Sequence, residues 1–179
     1  MKYFFSFLLI LALTVPGCKK ATEPKVSGEV TINSKLYGEG PYYCIGYSFS
    51  KGALVKSGSN PEPDITISMQ TSPDNTSIDW VYLSTDNFQN SFSLNASIDN
   101  SVTAEDFFNN YLTVPDTIGY TGIAKDIKPY QVWTFRTREK KYAKLLILKV
   151  AAEIRGDGPY AETTFRYVYQ PDGTKVFPK

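Results

Sequence analysis

The chain has 179 residues, with 19 basic and 18 acidic side chains and a formal charge of +1. So even a balance gives no electrostatic hold on nucleic acid or on an anionic membrane surface, and argues against both as charge-driven partners. Histidine is absent, which removes the usual imidazole general base, the Ser-His-Asp and Cys-His nucleophilic sites, and the commonest ligand of zinc and haem iron.

The N-terminus reads as a targeting segment. Lys2 precedes an uncharged apolar run from Tyr3 to Val15. That length suits the hydrophobic region of a signal peptide and is too short to span a bilayer. The run ends in Val15-Pro16-Gly17-Cys18, which resembles the lipobox of bacterial lipoproteins. The resemblance implies cleavage before Cys18, acylation of its thiol and new amine, and a lipid-anchored place at the outer membrane or cell surface. Each buried methylene contributes about 0.8 kcal/mol and stable anchoring needs more than one chain, a condition that a multiply acylated cysteine meets. Residues 1–17 are therefore read as a signal peptide, 18–25 as the lipidated cysteine and its polar tether, and 26–179 as a single all-β binding domain.

Period-two alternation then recurs down the chain. Tyr43, Ile45, Tyr47 and Phe49 share one strand face; Ile65, Ile67 and Met69 share another, opposite Asp64, Thr66, Ser68 and Gln70. Ile78, Trp80 and Tyr82 follow, then Phe92, Leu94, Ala96 and Ile98. A short helix is predicted near 103–112, with Thr103 as its cap, Val102 stapling against Phe107, and Pro115 beyond its end. Trp133 and Phe135 lead a further strand, and Leu145 to Leu148 is a continuous apolar run, as expected of a strand buried on both faces. Thr163, Phe165, Tyr167 and Tyr169 close the series. Gly52, Gly58, Asn75, Gly158 and Gly173 sit in turn-forming clusters between these segments. The expected fold is all-β and antiparallel, a sheet or sandwich with one short helix.

Chemistry-bearing motifs are sparse. There is no CxxC, no phosphate-cradling glycine loop and no EF-hand spacing. A carboxylate pair alone would suffice for glycoside hydrolysis, but Asp64, Asp79, Asp86, Glu105 and Asp106 read as solvated faces, turns and a helix start, so no enzyme is expected. With Cys18 acylated, Cys44 is left alone and is expected to be buried in its aromatic strand. Arg136, Arg138, Lys140, Lys141 and Lys144 crowd one hairpin around Glu139. They read either as a grip on acidic groups, such as haem propionates or lipid phosphates, or as a solvated hairpin guarding a sheet edge.

The C-terminal third carries a family resemblance. Residues 119–129 (GYTGIAKDIKP) lead into 132–138 (VWTFRTR), then 141–148 (KYAKLLIL) and 164–173 (TFRYVYQPDG). This order resembles the HmuY-like family of Bacteroidetes lipoproteins, and residues 46–52 (GYSFSKG) and 63–67 (PDITI) resemble its earlier strands more faintly. The resemblance implies an all-β haemophore-like fold, haem or a similar flat apolar molecule as ligand, and a TonB-type outer-membrane receptor as partner. The histidine or methionine pairs that hold iron in the family do not carry over: no histidine exists, and Met69 is the only methionine after Met1. Met69 continues the Ile65 and Ile67 stripe, which favours core packing. Tyr111, Tyr120 and Tyr130 fall where the family's ligand loops are expected, and a phenolate can hold haem iron; turn and packing roles are the simpler reading of each. The alternative function is a structural or interaction lipoprotein that has kept the fold and lost the cofactor.

The anchor is directly testable. The Cys18→Ser protein should lose palmitate labelling and move from the membrane to the soluble fraction; unchanged fractionation would refute the lipobox reading.

Overall fold

A computed structural model describes residues 25–178. The predicted signal peptide, Cys18 and most of the tether lie outside the described residues. The architecture is the expected one: antiparallel β-sheets with one short helix. In chain order the strands are β1 (Ser27–Tyr37), β2 (Tyr43–Ser48), β3 (Ala53–Lys56), β4 (Thr66–Thr71), β5 (Ile78–Ser84) and β6 (Phe92–Ser97). Helix α1 (Ser101–Asn110) follows, then β7 (Ile123–Lys125), β8 (Gln131–Arg136), β9 (Tyr142–Arg155) and β10 (Gly158–Gln170). Seven strands form one sheet in the order β3-β2-β1-β10-β9-β8-β6, and three form a second in the order β4-β5-β7.

The main core lies between the sheets. Ile67, Val81, Leu83 and Ala124 from the small sheet, with Ile65 just before β4, meet Phe135, Leu145, Ile147, Phe165, Tyr167 and Tyr169 from the large one. Phe49 is fully buried among aromatic rings: its centroid is 5.3 Å from Tyr47, 5.5 Å from Phe135, and 5.4 Å from both Tyr167 and Tyr169. Each such pair contributes about 0.5–1.5 kcal/mol beyond its burial. The Tyr47 and Tyr167 hydroxyls satisfy one another inside the core, and Tyr167 also donates to the Lys25 carbonyl at 3.3 Å.

Over Ala143–Ile147 β9 is buried on both faces, as its apolar run implies, while its second half emerges toward solvent. Leu145 and Ile147 enter the main core, while Leu146 points the other way and packs with Val132, Ala104 and Phe108 beneath α1. Lys144, on the same face as Leu146, is only 3% exposed. Its ammonium donates to the Phe108 and Tyr111 carbonyls at 2.6 and 3.0 Å. These are carbonyls that the end of a helix leaves without partners. Lys144 is therefore not part of a solvated hairpin cluster, contrary to its sequence context, and desolvation pulls its pKa down.

Three local expectations change, each for an identifiable reason. Asn100, not Thr103, caps α1, its side chain accepting the Thr103 N–H at 2.9 Å; asparagine in extended backbone suits that position. Val102 is 70% exposed and staples nothing. In β5 the alternation breaks because Gln70 pairs with Trp80 but Thr71 with Ile78, leaving Asp79 as a bulge residue. Ile78 packs on the core, and beyond the bulge Val81 and Leu83 do so, which turns Trp80 and Tyr82 to the outer face. In β6 a bulge at Asn95 divides the stripe in the same way: Phe92 is in the main core, Ala96 and Ile98 pack beneath α1, and Leu94 is 47% exposed.

Gly46 marks where β2 crosses the small sheet. A Cβ there would collide with the Ile65 carbonyl oxygen and lie 2.7 Å from the Pro63 Cβ. Both neighbours are fixed by the Tyr47 N–H to Ile65 bond of 2.9 Å. Gly46→Ala should lower the unfolding free energy by about 1–3 kcal/mol, the usual cost of overpacking, read as a lower urea midpoint at unchanged m-value.

Candidate functional site

β4 pairs only with β5, so its other edge is free of a strand partner. A groove of about 750 Å³ follows it, walled on the far side by Ser34–Leu36 of β1 and the β9–β10 turn. This volume falls within the usual 300–1,000 Å³ of small-molecule sites. Two exposed apolar side chains line it, Leu36 (61% exposed) and Phe88 (62%), together with Met69, Tyr82 and Tyr160. A soluble surface gains nothing by exposing such residues together, so their convergence on one concavity points to a ligand or partner.

The charged groups of the groove are Lys35, Arg155, Asp86 and Asp157. Arg155 is held in place twice over: its guanidinium lies 3.3 Å from the Tyr160 ring centroid and its Nε donates to Glu153 at 2.6 Å. Tyr160 in turn donates to Glu162 at 2.8 Å. Lys35 is exposed, with its ammonium 5.4 Å from the Tyr37 ring. Cys44, expected to be buried, is a half-buried free thiol on the groove wall.

A second, smaller cleft of about 260 Å³ lies between Ser50, the 60–64 segment, the loop after β5 and the β8–β9 turn. It gathers Glu62, Asp64, Asp86 and Glu139 around the single cation Arg138. Asp64 is not a solvated carboxylate. Burial pushes its pKa up to about 6, against the opposing pull of the Phe49 N–H, which donates to it at 2.8 Å; Glu139 raises it further. Asp86 is also raised to about 6, first through contact with the Glu62 carboxyl and then through burial, while Glu62 is held below its ordinary value by the same contact. Among the described residues no group of three or more Cys, Asp or Glu side chains is arranged to hold a metal ion.

The four candidate residues divide between two regions. Met69 packs against the core and also lines the groove. The tyrosines do not reach it. Tyr111 ends α1, its hydroxyl 2.8 Å from Thr134 Oγ1 and its ring stacked on Phe107. Tyr120 lies under Arg136, 4.2 Å from ring to guanidinium, with its hydroxyl buried and without a hydrogen-bond partner. Burial and the nearby Tyr142 push its pKa up to about 12, which disfavours a phenolate at neutral pH. Tyr130 adopts a left-handed backbone (φ 68°) and packs beneath α1. The hairpin cations scatter as well: Arg136 donates to the Asn90 carbonyl at 3.0 Å, Lys141 pairs with Glu139 at 2.9 Å, and Arg138 faces the cleft. Sequence patterning missed Leu36, Phe88 and Tyr160, whose only signal is exposure, a property of the folded chain.

Comparison with protein-family models and with curated proteins finds no match to this chain.

Asp64 sets a pH dependence. The folded protein binds its proton more tightly than the unfolded chain does, so the stability it contributes is present below the ordinary carboxylate pKa and is lost as pH rises through about 6. Asp64→Asn should flatten the fall in unfolding free energy between pH 4 and pH 7, measured by urea titration at each pH.

Proposed function

We propose that the mature chain is a cell-envelope binding lipoprotein of HmuY-like type, anchored through Cys18 and taking a flat apolar ligand of porphyrin kind in the groove along β4. The observation that carries this reading is the convergence of Leu36, Met69, Tyr82, Phe88 and Tyr160 on a concavity of about 750 Å³. Aromatic and apolar walls suit the face of a planar ring system, and Lys35 with the positioned Arg155 suits carboxylates at its edge. A TonB-type outer-membrane receptor is the partner to which such a protein would deliver. Binding, not catalysis, is the proposed activity.

The donor set fits the ring better than it fits a doubly ligated haem iron. Histidine is absent. Met69 is the sole methionine on the groove, and its side chain is shared with the core. Tyr111, Tyr120 and Tyr130 are engaged elsewhere. The same absence favours a second reading, in which the fold is kept for a structural or interaction role and no tetrapyrrole binds.

Titration of the lipid-free protein beginning at residue 19 separates these readings. Haemin and protoporphyrin should bind with dissociation constants within about tenfold of one another, iron adding less than about 1.4 kcal/mol, and haemin should give no low-spin six-coordinate spectrum. Phe88→Ser should weaken both by about tenfold or more, the worth of one buried aromatic side chain. Tight haemin binding with a sharp low-spin Soret band would overturn this account of the ligand. Absence of binding by either compound would favour the structural role.

A further inference from the structure

Among the described residues four strands edge the two sheets: β3 and β6 the large one, β4 and β7 the small one. A free edge invites pairing with another chain, and folded proteins blunt it with charge, shortness, a bulge or a cover. Three of these edges are blunted. β3 has 4 residues and ends in Lys56; β7 has 3 and ends in Lys125. β6 is covered at Phe92, which exchanges backbone bonds of 3.0 and 2.8 Å with Thr121, and it is bulged at Asn95. β4 is not blunted. Its 6 residues, Thr-Ile-Ser-Met-Gln-Thr, include no charge and no proline.

The outer edge of β4 already carries the first rung of a ladder. Just before β4, Ile65 exchanges backbone bonds of 2.9 and 3.1 Å with Tyr47 of β2, in an antiparallel bridge. Successive residues of a strand turn their N–H and C=O to opposite edges, so Ile67 and Met69 face outward with Ile65, while Thr66, Ser68 and Gln70 face β5. β5 agrees: the Val81 carbonyl, opposite Met69, accepts from Ile127 on its far side. The next rung would join Ile67 to Ile45, but β2 forks away and Ile45 pairs with Asn33 of β1 and Lys56 of β3. The groove, lined by β4, Cys44 and Ser34–Leu36, occupies this fork. Ile67 is only 4% exposed, so its outward N–H and C=O have little water to satisfy them.

We propose that the outer edge of β4 takes an extended segment of another polypeptide, laid antiparallel to β4 as an added strand. Residues of the segment that pair with Ile67 and Met69 send apolar side chains into the groove, toward the exposed Leu36; those between them lie beside Ser68 and Gln70 and are polar. A bare segment fits where a folded edge does not, because β1 and the β9–β10 turn wall the groove on its far side. This chain has no such segment to spare: residues 25–178 form the fold, and 19–24 (KKATEP) carry no alternating apolar side chains. Asp86 lies two residues beyond Ser84, the partner of Thr66, and so stands at the end where the segment's C-terminal residue falls. A basic residue there suits it.

Hydrogen exchange by NMR on the full chain in detergent, with the peptide acetyl-SVTVTVK-amide as probe, reads the added strand directly. At saturating peptide the Ile67 and Met69 amides should exchange at least about tenfold more slowly. N-methylation of the central valine removes a donor to the ladder and should weaken binding about tenfold or more; N-methylation of the threonine before it, whose N–H points away from β4, should change binding less than about threefold. Met69→Pro deletes a groove-facing N–H and no bond to β5, a change that an edge strand tolerates. It should weaken the peptide about tenfold, with the Ser68 and Gln70 amides still protected. Unchanged exchange at Ile67 and Met69 with the peptide at millimolar concentration, or equal weakening by the two N-methyl groups, overturns the proposal. The proposal rests on the backbone of β4 and not on the porphyrin reading of the groove. Protoporphyrin binding without any effect of the peptide overturns the added strand alone; protection by the peptide without protoporphyrin binding overturns the porphyrin reading alone.

Discussion

The burial of the first half of β9 on both faces is the constraint from which the rest of the structure follows. Consecutive apolar residues at Leu145, Leu146 and Ile147 leave no polar face for solvent. The large sheet must therefore be covered twice, and each cover is a different solution. On one side the three-stranded sheet brings Ile67, Val81 and Leu83 onto Leu145 and Ile147. On the other a single ten-residue helix supplies Ala104 and Phe108 over Leu146. The helix is short for independent stability, since isolated helices below about 12–15 residues are marginal. What positions it is Lys144, a cation buried in the same strand whose ammonium takes up the Phe108 and Tyr111 carbonyls. Removing that charge would leave the helix end unsatisfied; leaving it unpaired would strand a buried cation. The two requirements answer each other.

The bulges at Asp79 and Asn95 explain how so small a second sheet covers so long a core. An extra residue reverses which side chains face inward without ending the strand. In β5 this keeps Ile78 on the core at one end and puts Val81 and Leu83 there at the other, leaving Trp80 and Tyr82 outside with Lys125 4.8 Å from the Trp80 ring. In β6 it lets one edge strand contribute Phe92 to the main core and Ile98 to the cluster under the helix. Asn95, the inserted residue, is not idle: its side chain donates to Thr134 Oγ1, which also bonds Tyr111.

The groove and the cleft are both consequences of the small sheet's narrowness. With β4 at its edge and no further strand beyond, the space toward β1 is filled only by side chains at its rim. At the end nearer Phe49, the loops that connect the sheets bring four carboxyl groups around one arginine. Burial there has a stabilising partner in the Phe49 N–H, which holds Asp64 and so ties the aromatic cluster to the cleft. The protein's near-neutral charge thus conceals a local asymmetry, acidic in the cleft and mixed along the groove.

Strands β2, β4, β5, β6, β8, β9 and β10, the antiparallel class and the double burial of the apolar run in β9 were legible in the sequence, because period-two alternation and an unbroken apolar run depend only on which neighbours alternate along the chain; β1, β3 and β7 were not, because they carry no such regular stripe. So was the absence of imidazole chemistry, which composition alone decides. The caps and bulges were not: Asn100 and Thr103 are both good cap residues, and a bulge at Asp79 leaves no mark in a pattern that looks equally regular on either face. Lys144 was grouped with solvated hairpin charges, and Asp64 with a solvated strand face, because sequence reports spacing and not depth. Depth is set by which strands meet across the core, through contacts such as Tyr47 with Ile65 and β9 with α1 that join residues far apart in the chain. The groove belongs wholly to that level, since Leu36, Met69, Phe88 and Tyr160 come from four separate segments and become neighbours only when the two sheets close on one another.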